Sequence, residues 1–220
     1  MLKKAGLIAA ILLLFTTQGV CQDKGHFDAS FNGAPVFTGT ANGNGIEQSA
    51  TVGANYFGTF RYRFKPKSSL IFTYGRAKDS QTYQTNFDFH VLSTVVEYSG
   101  GFVYNFYEKK HFEPFVLLGG GALRFKPNST WVFFPDFIKG VPNRVQVNLN
   151  ATTQTEIAFM YGGGLDYVLA KRFAIRLQYR GFLYRAPDFN VTTVSGGALS
   201  FTTGSRNHMA EPSVGVVFRF

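Results

Sequence analysis

Two groups of side chains in this sequence have types and spacing that could do chemistry. The first is a charged set placed within alternating apolar runs: Arg61, Arg63, Glu97, Glu156, Asp166, Arg176, Arg180, Glu211 and Arg219. Carboxylates whose surroundings push their pKa values apart can serve as general acid and base. Here arginines are at least as numerous as acids, so ionised carboxylates held in ion pairs are the prediction, and structure is favoured over catalysis. The second group is Ser205, His208 and Glu211, the one local set of the Ser-His-acid kind, and a triad of that kind is defined by geometry rather than by spacing. His26, His90, His111 and His208 lack the local spacing of a common metal site. The reading is therefore a protein that is not an enzyme and carries no cofactor and no metal.

Alternation decides where the charged set can stand. In "SATVGANYFGTFRYRF" residues Val52, Ala54, Tyr56, Phe60, Tyr62 and Phe64 share one face, with Thr51, Asn55, Thr59, Arg61 and Arg63 on the other. Farther along, Val96, Tyr98, Phe102, Tyr104 and Phe106 oppose Glu97, Ser99 and Asn105; Phe173, Ile175, Leu177, Tyr179 and Leu183 oppose Arg176, Gln178 and Arg180. One face is apolar over whole strands, and the other holds the charges.

These runs come in pairs around short turns, "KPKS", "EKKH" and "LAKR", which makes three hairpins and six strands. A strand in "GHFDASFNGAPVF" and a closing one in "EPSVGVVFRF" bring the number to eight. Four longer polar or irregular segments separate them, near 38–48, 78–88, 126–150 and 186–208. Segments of about ten alternating residues, with short turns at one rim and long loops at the other, describe a transmembrane barrel. Eight strands leave a lumen just wide enough to be filled by side chains, so the charged set would plug it.

Composition agrees. The chain has 220 residues, with 25 Phe, 11 Tyr, 24 Gly and 45% hydrophobic content, a usage that favours strands over helices. Residues 1–21, "MLKKAGLIAAILLLFTTQGVC", have a basic start and an apolar run too short to span a bilayer as a helix, which reads as a secretory signal peptide. Lipidation at Cys21 is the rival reading, but Val20 and Gln18 do not fit the usual lipoprotein pattern. If Cys21 leaves with the signal, the mature chain of residues 22–220 has no cysteine and so neither a disulfide nor a thiolate nucleophile. Without Lys3 and Lys4 the balance is 20 basic against 13 acidic residues, or +7. A basic exported protein has anionic lipid head groups or polyanions open to it as partners, while internal charge and solvated loops account for much of the excess.

A soluble ligand-binding barrel of equal strand number inverts the same pattern, aromatics inside and charges outside. Export, apolar faces almost free of charge, and tyrosines near the turns (Tyr62, Tyr104, Tyr167) favour the membrane. In the third long loop Trp131, Phe133, Phe134 and Phe137 form an aromatic cluster, either a recognition site or residues that cap the barrel mouth or dip into the membrane interface.

Hairpin order, Gly-aromatic strands such as "YGGGLDY" and the ending "VGVVFRF" resemble the bacterial outer-membrane β-barrel superfamily, which includes the OmpA transmembrane domain and the opacity adhesins. The resemblance implies an all-β, eight-stranded antiparallel transmembrane barrel in the bacterial outer membrane. It also implies that Val214, Val216, Phe218 and Phe220 are read by the barrel-assembly machinery. The implied partners are outer-membrane lipid, lipopolysaccharide, that machinery and an extracellular ligand of the loops, with no nucleic acid. A structural or adhesive surface role leads, a narrow pore or small-solute transporter is the alternative, and a lipid-modifying enzyme comes third.

Overall fold

A computed structural model describes residues 26–84, 88–107, 111–138, 141–192, 198–201 and 203–220. The signal-peptide segment 1–21 lies outside them. The described residues form strands and connections without a helix: β1 (Phe27–Thr38), β2 (Ala41–Gly43), β3 (Ile46–Ala50), β4 (Gly53–Lys65), β5 (Ser68–Gln84), β6 (Asp88–Asn105), β7 (Phe112–Ile138), β8 (Val141–Ala151), β9 (Gln154–Ala170), β10 (Phe173–Arg185), β11 (Phe189–Thr192), β12 (Ala198–Phe201) and β13 (Arg206–Arg219).

Eight of these make the wall. β1, β4, β5, β6, β7, β9, β10 and β13 each pair antiparallel with the next, and β13 returns to β1 with Asp28 opposite Arg219 and Gly33 opposite Val214. The backbone of Phe220 and Phe27 exchanges two further hydrogen bonds, 3.0 and 3.1 Å. No edge strand is left in the wall, which is what a bilayer without water to satisfy backbone groups demands.

Outward and inward faces follow the alternation. Phe31, Tyr56, Phe60, Phe72, Tyr98, Leu118, Phe159, Leu177, Val214 and Val216 stand exposed on the outside, while Arg61, Asn105, Asp166, Arg176, Arg180 and Glu211 are buried inside. Val96 departs from the expectation, being buried although it belongs to the outer row of β6.

Two of the polar segments expected to be irregular are ladder instead. β5 and β6 stay paired to Gln84 opposite Asp88, and β7 and β8 form a hairpin from Thr130 opposite Leu149 up to Ile138 opposite Val141. One face of these extensions stays buried, with Asp79, Gln81 and Tyr83 on β5 and Phe89 and Val91 on β6 turned inward, so pairing continues where the composition turns polar. β2 with β3 and β11 with β12 build the other two loop hairpins. With short turns to the periplasm and long connections outward, the four hairpin-bearing loops mark the extracellular rim.

Candidate functional site: the charged lumen and its aromatic cap

Inward alternation on β1, β4, β6, β7, β9, β10 and β13 brings five arginines and five carboxylates together inside the wall. Three groups stack along the axis. Nearest the periplasm, Glu113 takes both ends of the Arg219 guanidinium, at 3.0 and 2.8 Å, with Arg63 at 3.9 Å.

The middle group centres on Asp166. Arg176 donates to both its oxygens, from Nε at 2.7 Å and Nη2 at 2.9 Å. Arg61 and Arg219 approach the same carboxylate at 3.4 and 3.6 Å, and Asp28 holds the far side of Arg176 at 3.3 Å. The Ser30 and Thr59 hydroxyls lie 2.6 Å apart and accept from Arg176 Nη1. Phe115 lies under the Arg61 and Arg176 guanidinium groups at 4.7 and 5.4 Å from its ring centre, so the flat cationic faces are covered as well.

Above these, Arg180 makes a two-pronged contact with Glu97, 2.8 and 3.0 Å, and also donates to Glu211. Asn55 completes Glu211 at 2.9 Å and Ser99 donates to Glu97 at 2.5 Å. The Phe57 ring lies 3.6 Å beneath Arg180. A buried charge is tolerated when it is paired and hydrogen-bonded, and each of the five carboxylates here has an arginine against it.

Toward the loops an aromatic cluster stands above the ion pairs. Phe125 stacks on Tyr184 at 5.8 Å and meets Phe189 edge-on at 6.5 Å, while Tyr83 packs edge-on against Phe189 at 6.1 Å. Phe189 belongs to β11, so the fourth loop brings a wholly buried ring into the mouth. The Tyr83 hydroxyl contacts Gln81 Oε1 and the Pro187 carbonyl at 2.9 and 3.1 Å, and Gln81 in turn donates to Asp79 at 2.7 Å.

Of the nine charged residues read from the sequence, eight meet in these groups. Glu156 does not; it stays half-buried near the loop end of β9 and forms none of these ion pairs. Sequence reasoning missed Asp28 and Glu113, although the inward parity of Asp28, Ser30 and Asn32 on β1 and of Glu113, Phe115 and Leu117 on β7 would have found both. The Ser205, His208, Glu211 set is not assembled. Ser205 donates to the Asn42 carbonyl, the His208 ring meets the Tyr161 hydroxyl at 2.8 Å, and Glu211 is held inside by Arg180. In the third loop Trp131 stacks on His90 at 5.4 Å; the side chains of Phe133, Phe134 and Phe137 lie outside the described residues, and their backbone is part of the β7–β8 hairpin.

The last strand places Val214, Val216 and Phe220 on the outer face. Phe220 joins Phe27, Phe60 and Phe218 in a ring cluster at the periplasmic rim, with centroid separations of 6.1, 6.4 and 6.0 Å.

Solved structures similar to this chain include outer-membrane proteins. Outer membrane protein OprG from Pseudomonas aeruginosa aligns over 90% of this chain and 98% of its own, with a TM-score of 0.52 and 12% identity. The outer membrane protease OmpT from Escherichia coli aligns over 93% and 100%, with 0.52 and 5%. Neisserial surface protein A aligns over 89% and 97%, with 0.49 and 14%. At these identities the likeness is one of fold. A sequence search of curated proteins returns no match. The family model described as outer membrane protein beta-barrel domain matches residues 7–203. With a closed wall that is apolar outside and ion-paired inside, the chain belongs to the outer membrane protein beta-barrel domain family, whose place is the bacterial outer membrane.

Proposed function

We propose that this barrel is a sealed membrane anchor whose work is done by its extracellular hairpins, in surface interaction or adhesion, and that it does no chemistry. One observation carries this reading. Side chains occupy the lumen at two levels, arginine and carboxylate groups along its lower part and the Phe125, Tyr184, Phe189 and Tyr83 rings at its mouth, whereas β7 with β8 rises beyond the wall as a hairpin bearing Trp131. Separation of Ser205, His208 and Glu211 speaks against hydrolysis at that set. In this reading residues 1–21 direct export, and Val214, Val216, Phe218 and Phe220 present the last strand to the assembly machinery.

Two measurements on the full-length protein test it. In planar bilayers the barrel is expected to give no stable conductance steps; a steady conductance that changes on Arg180→Ala would replace this reading with the narrow pore. Cells displaying the protein are expected to adhere to at least one of a panel of immobilised matrix proteins and glycans, and to lose that adhesion when residues 131–149 are replaced by a tight turn. Adhesion unchanged by that replacement would remove the third hairpin from the role.

A further inference from the structure

The outer wall carries a second charged feature unrelated to the lumen. On β5 the outward row runs Leu70, Phe72, Tyr74, Arg76, Lys78, and on β7 it runs Leu118, Gly120, Ala122, Arg124, Lys126. β6 lies between them, and the register sets Arg76 and Arg124 on either side of Val96, with Lys78 and Lys126 on either side of Thr94. Two basic pairs thus face each other across one strand, roughly 10 Å apart at the usual strand spacing.

The middle strand shows that this row is built over. Val96 and Thr94 are each 5% exposed, whereas Tyr98, next below them in the same outward row, is 54% exposed. Asn128, the next outward residue on β7, donates from Nδ2 to the Thr94 hydroxyl at 2.8 Å. The flanking long side chains supply the rest of the cover, as lysine and arginine stems do over apolar ground. Among the described residues none of the four cations has an ion pair. The neighbouring outward positions, Ala54 and Tyr56 on β4 and Thr155 on β9, bring no carboxylate to them.

Height along the wall identifies what this row faces. From Ser68, opposite Tyr104 at the periplasmic end, to Lys78 the strand runs roughly 33 Å, which at the usual tilt of about 40° is roughly 25 Å of height, the full apolar band of such barrels. The Tyr74 and Tyr98 rings, 5.3 Å apart, form the last aromatic step directly beneath the arginines, as an interfacial girdle should. The four cations therefore stand beside the head groups of the outer leaflet.

We propose that Arg76, Lys78, Arg124 and Lys126 form a clamp for the phosphate groups of an outer-leaflet glycolipid, with its acyl chains lying along Tyr74, Tyr98 and Phe72. The pairs supply guanidinium forks and ammonium charges to phosphate oxygens, and the lipid supplies the counter-charge that the protein does not.

The test uses the purified full-length barrel in detergent, titrated with bisphosphorylated lipid A, dephosphorylated lipid A and inorganic phosphate, and read by native mass spectrometry and by the melting temperature. Wild type is expected to retain bisphosphorylated lipid A, and R76Q/K78Q/R124Q/K126Q to bind it roughly tenfold or more weakly, since each surface cation contributes to anionic-lipid attraction. Both proteins should show the same heat-modifiable migration, which separates loss of binding from loss of folding. K65Q/K67Q, at the periplasmic turn, is expected to bind as wild type does. Equal retention by the quadruple variant, or equal retention of dephosphorylated lipid A, would overturn the clamp. An equal effect from inorganic phosphate would reduce it to a general anion site and overturn the lipid assignment.

Discussion

Arg180 on β10 reaches across the lumen to Glu97 on β6 and closes a two-pronged pair, 2.8 and 3.0 Å, over the face of Phe57. Glu211 on β13 shares the same guanidinium. Arg180→Ala leaves two carboxylates buried without a counter-charge, and the expected cost is about 3–5 kcal/mol. Neutralising the group together, with Arg180→Met, Glu97→Gln and Glu211→Gln, should recover most of that loss. Urea unfolding in lipid vesicles measures both; a triple variant as unstable as Arg180→Ala would show that the pairing is not what matters.

Asp79 sits above the membrane-facing part of β5, buried and bonded to Gln81. Burial pushes its carboxyl above the ordinary aspartate value, with the Gln81 and Ser80 contacts opposing the shift. A folded-state pKa above the unfolded one means that ionisation costs stability once the pH rises past the unfolded value, and that the cost vanishes in acid. Asp79→Asn should therefore raise the melting temperature at neutral pH, and the gain should shrink as the pH is lowered toward the ordinary carboxylate range. A gain that is constant with pH would contradict this origin.

Phe220 has two duties that one deletion cannot separate. Its backbone forms the last rung with Phe27, and its ring joins the rim cluster. Phe220→Ala keeps the rung and removes the ring. If the ring serves as an assembly signal, that change should lower the amount of barrel in the outer membrane several-fold while altering the refolded barrel by about 1 kcal/mol. Equal damage in cells and in refolding would deny it a recognition role.

Gly181 lies under the Tyr161 ring, where an added Cβ would come within 2.5 Å of the ring carbon bearing the hydroxyl. Gly181→Ala should push the ring outward and break its contact with His208, at about 1 kcal/mol. An unshifted His208 signal in the nuclear magnetic resonance spectrum of the variant would refute that coupling.

Much of the wall could be read in the sequence because it is one residue thick. Every side chain in a strand meets either lipid or lumen, so Tyr56 against Asn55, or Leu177 against Arg176, declares its side by type alone. Asp28 and Glu113 escaped that reading because each is the second residue of its strand, β1 and β7, at the periplasmic rim, although the alternation that follows each of them holds. The hairpins above the membrane were harder. Residues 78–84 are polar and 126–138 mix proline, polar and aromatic residues, yet both stay in register as continuations of the ladder below them. Inward folding of Phe189, which packs on Phe125 in the mouth, depends on a loop's path through space, and no local pattern encodes it. His208 looked like a triad member by spacing, but strand parity sends it outside and Glu211 inside.

The five arginines and five carboxylates of the lumen cancel. The formal charge of +9 carried by the whole chain therefore owes nothing to them, and the filled interior is electrically silent at a distance. What an approaching molecule senses is the outer charge alone, with Arg76, Lys78, Arg124 and Lys126 gathered on one side of the barrel. In a negatively charged leaflet such one-sidedness acts as a compass, turning a particular flank of the cylinder toward whatever carries the opposite sign.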